Sequence, residues 1–99
     1  MQLASFLNKV FKKDGFILTD ANSKDYIIGN PGTNPIKLKI LKKNLHYKLL
    51  LHPDLYFGEA YTNGEIIIEN GTLTDFLDLA LLNFGRGELN FFSYLINRL

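Results

Sequence analysis

The sequence lacks cysteine, an excess of charge of either sign, and any long apolar run. Without cysteine, disulfides and thiolate metal sites are excluded, and a cytoplasmic location is expected. The formal net charge is +1, so no strong overall field favours nucleic acid as a partner. Lys, Asp or Asn interrupts each apolar segment before it reaches the roughly 20 residues that span a bilayer. The chain is therefore not expected to be an integral membrane protein.

The composition is that of an ordinary globular domain. With 99 residues the chain can build one core, so we predict a single domain over residues 1–99. Eight Phe and five Tyr are available to fill that core. Lysines crowd the first half and carboxylates the second, which indicates either a basic face for an anionic surface or, more commonly, a solvated face.

The first half of the chain predicts one helix and three strands. Apolar residues from Leu3 to Phe11 recur at helical spacing, in a helix that ends near Lys13. The runs 16–19 and 26–29 are separated by a polar turn-forming segment and predict a hairpin. Residues 36–40 alternate between aliphatic and lysine side chains, which predicts a third strand.

The second half predicts helices and a fourth strand. A helix over 45–51 must stop near His52, because Pro53 disfavours helical geometry in the residue before it. Asp54 can cap a second short helix through Tyr61, which Gly64 can end in the left-handed conformation. The β-rich run 65–69 predicts a strand.

Two leucine-rich and phenylalanine-rich helices are predicted to follow. Thr72 and Asp75 resemble a capping box that opens a helix to about Phe84. Its core stripe is widened by Leu79, Leu81 and Leu82, so we expect part of this helix to face a partner. A further stripe over 89–99 predicts a last helix, in which the sequence stops. We interpret this as a piece of a longer polypeptide or a helix that docks on another surface.

Few residues carry recognisable chemistry. His46 and His52 are not spaced as adjacent ligands on one helical face, so a metal site is not expected. No nucleophile elbow, phosphate-binding loop or dinucleotide fingerprint is present, and we assign no catalytic or cofactor-binding residue. Glu59 is the best candidate for a functional carboxylate, since an aromatic setting could desolvate it and raise its pKa. The alternative is a structural carboxylate that caps a helix or bonds a backbone amide.

Two sets of side chains are candidates for lipid contact. Tyr56, Phe57 and Tyr61 can line an apolar acyl-chain groove or simply fill the core. The first helix has an apolar stripe on one side and three lysines on the other, a pattern that suits an anionic membrane surface. Packing on the core is the commoner use of such a stripe. The membrane-surface candidates are Lys9, Lys12 and Lys13.

Residues 51–64 carry a family resemblance, in the segments LHPDL (51–55) and GEAYTNG (58–64). They resemble the amino-terminal domain of the cyclopropane-fatty-acyl-phospholipid synthase family of S-adenosylmethionine-dependent methyltransferases. That family commonly shows PDL-x-x-GEAY-x-x-G, then a short strand ending in glycine and a leucine-rich helix, as at 71–77 here. The family usually has Met-Asp where this chain has Thr62-Asn63.

The resemblance implies a non-catalytic accessory domain that positions phospholipid acyl chains for methyl transfer. It implies an α+β fold similar to sterol carrier proteins, with a mostly antiparallel sheet of four to five strands and helices packed on it. The methyltransferase domain, with its S-adenosylmethionine loop and catalytic residues, would be a partner absent from this chain. The candidates for substrate or domain contact are Tyr56, Phe57, Gly58, Glu59, Tyr61 and Gly64.

Two other functions stay open at the level of sequence. One is a stand-alone carrier of acyl chains or sterol-like lipids, and the other is a domain that mediates homodimerisation. The location expected is cytoplasmic, with peripheral contact to a membrane as a further expectation.

Overall fold

A computed structural model describes residues 1–84, apart from the side chain of Asp54, and shows an α+β fold. One layer is a four-stranded sheet, and the other consists of helices packed on one of its faces. The elements are α1 (Gln2–Val10), β1 (Gly15–Thr19), β2 (Asp25–Gly29), β3 (Lys37–Ile40), α2 (Leu45–Leu51), α3 (Pro53–Thr62), β4 (Ile66–Glu69) and α4 (Leu73–Phe84). The predicted helix over 89–99 lies outside the described residues.

The sheet is mixed, with strand order β2-β1-β3-β4. β1 pairs antiparallel with β2, and β3 pairs antiparallel with β4, whereas β1 and β3 run parallel. The register sets Leu18 opposite Tyr26 on one side and opposite Leu38 on the other. The mostly antiparallel sheet expected from the sequence thus contains one parallel ladder at its centre. Periodicity along a strand cannot reveal this, because it does not specify the neighbouring strand.

The β1–β2 hairpin is confirmed, and its open end is closely packed. Gly29 has φ +70°, and a Cβ there would lie 2.4 Å from the carbonyl oxygen of Asp14. Asp14 itself has φ 63°. Only glycine fits at position 29, because a side chain would be both strained and blocked. The chain then passes this end of β1 and enters β3, whose Lys37 lies opposite Ile17.

One face of the sheet is buried and the other is largely exposed. Phe16, Leu18, Ile28, Leu38, Ile40 and Ile66 all point into the core and are at most 4% exposed. The opposite face carries Ile27, Lys39 and Glu69, which are partly or fully exposed. This alternation is the period-two pattern of a sheet covered on one side. The core therefore lies between the sheet and the helices.

The helices begin and end close to the predicted positions. Two helix ends and the exposed surface of α4 differ from the prediction. α1 ends at Val10, so Lys12 and Lys13 belong to the connection to β1 and not to the helix. α3 begins at Pro53, with His52 at the N-cap position that had been predicted for Asp54. In α4, Leu79 is buried, and only Leu82 among the three leucines is strongly exposed, at 53%. The apolar face offered to a partner is accordingly narrower than expected.

Two local predictions are confirmed. Gly64 has φ +75° just beyond α3 and donates its N–H to the carbonyl of Tyr61 at 3.1 Å. At the start of α4, the N–H of Asp75 donates to Oγ1 of Thr72 at 3.1 Å, and the N–H of Thr72 donates to Oδ2 of Asp75 at 2.9 Å. These reciprocal bonds form the capping box and supply partners for backbone donors that the helix leaves unpaired.

Candidate functional site

A cavity of about 360 Å³ lies between the sheet and the helices. The sheet contributes its floor through Phe16 and Leu18 of β1 and Leu38 and Ile40 of β3. The remaining walls come from α1, the α1–β1 connection, α2, α3 and α4, through Leu3, Phe6, Leu7, Phe11, Leu49, Pro53, Phe57, Phe76, Leu77, Ala80 and Phe84. Every lining residue within the described range 1–84 is apolar. The site is therefore assembled by segments from almost the whole described chain.

Five phenylalanine rings form a continuous chain along the cavity wall. Phe84 meets Phe11 at a centroid distance of 5.8 Å, and Phe11 meets Phe16 at 5.0 Å, both edge to face. Phe16 then meets Phe76 at 5.1 Å, and Phe76 stacks on Phe57 at 5.4 Å with an interplanar angle of 20°. These distances are in the range of favourable aromatic pairs, so the rings fix one another and give the wall a defined shape.

The lining limits what the cavity can bind. Its volume falls in the range of about 300–1,000 Å³ found for small-molecule sites. A cavity lined mainly by apolar side chains offers water few hydrogen-bond partners and favours hydrocarbon over water. Residues 1–84 place no polar or charged side chain in this lining that could act as an acid or base or pair with a phosphate. The geometry thus favours a hydrocarbon chain as ligand.

The end of the cavity at Phe11 and Phe84 is tied together by Asn83. Its Oδ1 accepts hydrogen bonds from the N–H groups of Lys12 and Lys13, both at 2.8 Å. Its Nδ2 donates to the carbonyl of Lys13 at 2.8 Å and to that of Leu79 at 2.9 Å. The single amide therefore links the end of α4 to the segment that follows α1, and both segments carry a cavity residue beside the link.

The six α3-region candidates from the sequence are not gathered into one site. Phe57 lines the cavity and is 8% exposed. Tyr56 is half-buried at the edge of the core, where the Lys48 ammonium lies 5.5 Å from its ring centroid. Tyr61 is also half-buried, but it does not line this cavity. Of the three aromatic candidates, Phe57 alone belongs to the apolar site.

The other members of the motif have structural explanations. Pro53 stands at the first position of α3, where its missing N–H and fixed φ suit a helix start. Gly58 and Ala60 are buried small residues on the inner side of α3. Gly64 ends the helix. Folding alone therefore accounts for much of the segment that carries the family resemblance.

Glu59 lies on the outer side of α3 and is exposed. The desolvated aromatic setting that made it the leading carboxylate candidate is not found, and this expectation was wrong. Its side chain also makes no hydrogen bond or ion pair within residues 1–84, which removes the alternative of a structural cap there. Glu59 has no assigned role in the cavity.

The three lysine candidates are exposed, but the helix beside them does not present its apolar face to solvent. Leu3 and Phe11 are each 2% exposed, and the intervening stripe packs on the core. The structure therefore shows core packing for the stripe of α1. Lys12 and Lys13 follow Phe11 directly, so they lie beside the Phe11–Phe84 end of the cavity, whereas Lys9 lies in the last turn of α1.

A polar cluster lies at the opposite end of β1. Oδ1 of Asp20 accepts hydrogen bonds from the N–H groups of Asn22 and Lys24, and its Oδ2 accepts one from the Tyr26 hydroxyl at 3.2 Å. These bonds stabilise the carboxylate and lower the pKa of Asp20, the bond from Lys24 most strongly. Burial lowers the pKa of His46, and the charge of Asp20 partly opposes this. Nε2 of His46 is buried without a hydrogen-bond partner in the described residues.

Residues 1–84 contain no group of three or more His, Asp or Glu side chains placed to hold a metal ion. No helix in this range combines the length and the apolar character needed to cross a membrane. The charged groups form exposed pairs on the sheet and its margins, such as Lys37 with Asp25 at 3.4 Å.

Two functional features were missed by the sequence argument. The first is the cavity, whose floor comes from strands that were interpreted only as core. The second is the structural use of two asparagines that were given no role: Asn83, and Asn8, whose side-chain amide bonds to the backbone of Ile27 and Gly29. An asparagine inside a helix is a weak signal, because its amide tends to seek backbone partners outside the helix. It indicates that the side chain bonds to backbone outside the helix, but it does not identify the residue to which it bonds.

No protein-family model, no curated protein and no solved structure matches this chain.

Proposed function

We propose that this domain binds the acyl chain of a lipid in its apolar cavity, as the lipid-positioning part of a methyltransferase similar to cyclopropane-fatty-acyl-phospholipid synthases. The observation that carries the proposal is the cavity, to which residues 1–84 contribute only hydrocarbon side chains. The resemblance at residues 51–64 supports the choice of lipid-modifying chemistry. The sterol-carrier-like fold that it implies stays a prediction.

The margin of the cavity suits an amphiphile better than a free hydrocarbon. Lys12 and Lys13 are exposed beside the end that Phe11 and Phe84 form. An acyl chain in the cavity with its head at this end would place an anionic headgroup near two ammonium groups. Because exposed charge pairs contribute little, most of the affinity would come from burial of the chain.

S-adenosylmethionine does not fit the cavity. The cofactor carries a sulfonium, an amino-acid group and a ribose, all of which need polar or charged partners. The side chains that residues 1–84 contribute to the lining offer none. Under this proposal the cofactor and the methyl transfer belong to a separate methyltransferase domain, and this chain contributes a water-excluding site for the acyl chain.

Binding of a naturally fluorescent polyene fatty acid to the purified 99-residue chain tests the proposal. Ala80 is 3% exposed and lines the cavity, so Ala80→Leu fills part of the space that a ligand needs. We expect probe affinity to fall at least tenfold while thermal stability is kept or increased. Leu82→Ala, on the exposed side of the same helix, is the matched control and should leave affinity unchanged. The proposal would be contradicted if the wild-type chain did not bind the probe, or if Ala80→Leu bound it with the same affinity as the wild type.

Headgroup recognition is tested separately. The double variant Lys12→Gln with Lys13→Gln should weaken binding of an anionic single-chain phospholipid but not of an uncharged alcohol of equal chain length. Lys43→Gln, at an exposed lysine before α2, serves as the charge-matched control. An equal loss of affinity for both ligands would show that the lysines act through folding and not through contact with the headgroup.

A stand-alone lipid carrier is the second candidate, since this chain forms the cavity without help from another molecule. Transfer of the fluorescent lipid between vesicles distinguishes the two. A carrier accelerates transfer by itself, whereas a positioning domain retains the lipid and needs a methyltransferase domain for turnover.

A further inference from the structure

The two edges of the sheet differ in how their outward backbone groups are used. At the β2 edge, Nδ2 of Asn8 donates to the carbonyl of Ile27 at 3.3 Å, and Oδ1 accepts from the N–H of Gly29 at 2.8 Å. A side-chain amide from α1 thus takes the place of a neighbouring strand. An edge protected in this way is a poor template for pairing with another chain.

Within residues 1–84, the β4 edge has no such cover. The N–H of Leu41 donates to the carbonyl of Glu65 at 2.9 Å, so Glu65 directs its backbone toward β3. Successive residues of an antiparallel strand direct their N–H and C=O groups to alternate sides, so Ile67 and Glu69 also bond toward β3. Ile66 and Ile68 then direct their N–H and C=O groups away from the sheet, and no group in residues 1–84 bonds to them.

The sequence of this edge is symmetric. Residues 65–69 read Glu-Ile-Ile-Ile-Glu, with Ile67 at the centre. If two copies pair antiparallel about a two-fold axis at Ile67, Ile66 of each copy lies opposite Ile68 of the other. These are the residues with outward N–H and C=O groups, so both hydrogen-bonded pairs form without a shift in register.

The side chains on the exposed face are compatible with this pairing. Ile67 is 43% exposed and would meet its own copy, removing apolar surface from water. Glu65 would lie opposite Glu69 of the other copy, which is unfavourable in isolation. Each carboxylate, however, has its own lysine: Lys42 lies 3.3 Å from Glu65, and Lys39 lies 3.4 Å from Glu69.

We infer that β4 is a self-association edge, through which two copies of this chain join their sheets into one eight-stranded sheet. The inference does not depend on the cavity or on its ligand. The paired strands are short, so the dimer is weak and forms at high protein concentration. A domain that is part of a larger enzyme would bring two such enzymes side by side through this edge.

Disulfide trapping tests the inference directly, because the chain has no cysteine of its own. In the proposed register, position 67 forms a non-hydrogen-bonded pair with itself, with Cα atoms about 4.5 Å apart. That separation permits a disulfide. Under mild oxidation Ile67→Cys should therefore form a covalent dimer. Ile27→Cys, on the protected β2 edge and 66% exposed, is the matched control and should stay largely monomeric.

Sedimentation equilibrium up to about 1 mM protein gives the second measurement. Ile67→Lys places like charges opposite each other at the axis and should weaken association about tenfold, whereas Ile27→Lys should not change it. Glu69→Gln should strengthen association two- to fivefold by removing one like-charge contact from each side. Equal crosslinking at positions 27 and 67, a monomer at every concentration, or a dimer indifferent to Ile67→Lys would overturn the inference.

Discussion

The side-chain amide of Asn83 bonds to both backbone groups of Lys13. Its Oδ1 accepts from the N–H of Lys13 and its Nδ2 donates to the carbonyl of the same residue, each at 2.8 Å. Few side chains can satisfy the backbone donor and the backbone acceptor of one residue together, and an amide has the required pair of atoms. This contact joins parts of the chain that are 70 residues apart.

Asn83→Ala should lower the free energy of unfolding by about 1–2 kcal/mol. The variant removes four hydrogen bonds, but several of the released backbone groups are exposed and can turn to water, which limits the loss. Urea denaturation measures the change. Asn44→Ala is the control, because Asn44 precedes α2 and makes no side-chain capping bond. Equal losses in the two variants would refute a special role for Asn83.

Asn8→Ala should open the β2 edge. Hydrogen exchange at the amide of Gly29 is expected to accelerate at least tenfold, because that N–H loses its partner Oδ1. Global stability should fall by about 1 kcal/mol. Ser5→Ala, an exposed substitution on the same helix, should leave the exchange of Gly29 unaltered. Unchanged protection of Gly29 in Asn8→Ala would show that the amide does not protect this edge in solution.

Thr72→Ala should destabilise the protein by about 1 kcal/mol, because Oγ1 of Thr72 accepts from an N–H in the first turn of α4. Thr74→Ala is matched in chemistry and lies in the same turn, where the side chain is exposed. Thermal denaturation should show a lower midpoint for the first variant only. A similar loss in both would assign the effect to threonine in general and not to the capping box.

Stability should fall as the pH drops below about 6.5, the ordinary pKa of histidine. Burial lowers the pKa of His46 in the folded state, so the unfolded chain binds a proton at a higher pH than the folded chain does. The loss of stability begins near the pKa that His46 has in the unfolded chain and levels off below its pKa in the folded chain. The depressed pKa values of Asp20 and Asp25 act at much lower pH, below about 4.

His46→Leu should flatten the stability profile between about pH 7 and pH 5, and it also removes the unpartnered Nε2. Urea titrations at several pH values measure this profile. Leu51→Ala, at an exposed position of the same helix, provides the control and should keep the wild-type slope. A profile that His46→Leu leaves unchanged would rule out His46 as its source.

Much of the architecture was predictable because its causes are local. Helix α2 was predicted with the observed bounds, since Pro53 restricts the residue before it. The Thr72–Asp75 capping box and the left-handed Gly64 were also predicted, because each depends on a few consecutive residues. The alternation of strand β3 correctly indicated which side chains enter the core.

The candidate site was much less predictable. Phe57 was among the candidates and lines the cavity, but Glu59 is exposed, since its place on α3 directs it away from the core. The motif that suggested a function contains several residues that the folding of α3 itself requires. Short-range patterns do not distinguish a residue kept for packing from one kept for binding.

By itself, the sequence determined the kinds of element, most of their ends and the exclusion of disulfides, because these follow from composition and from interactions within a few residues. Only the tertiary structure decided that β1 lies parallel to β3, that Asn8 and Asn83 bond to distant backbone, and that phenylalanines from five segments enclose a cavity. Such features arise when remote segments pack together, and each depends on the position of all the others.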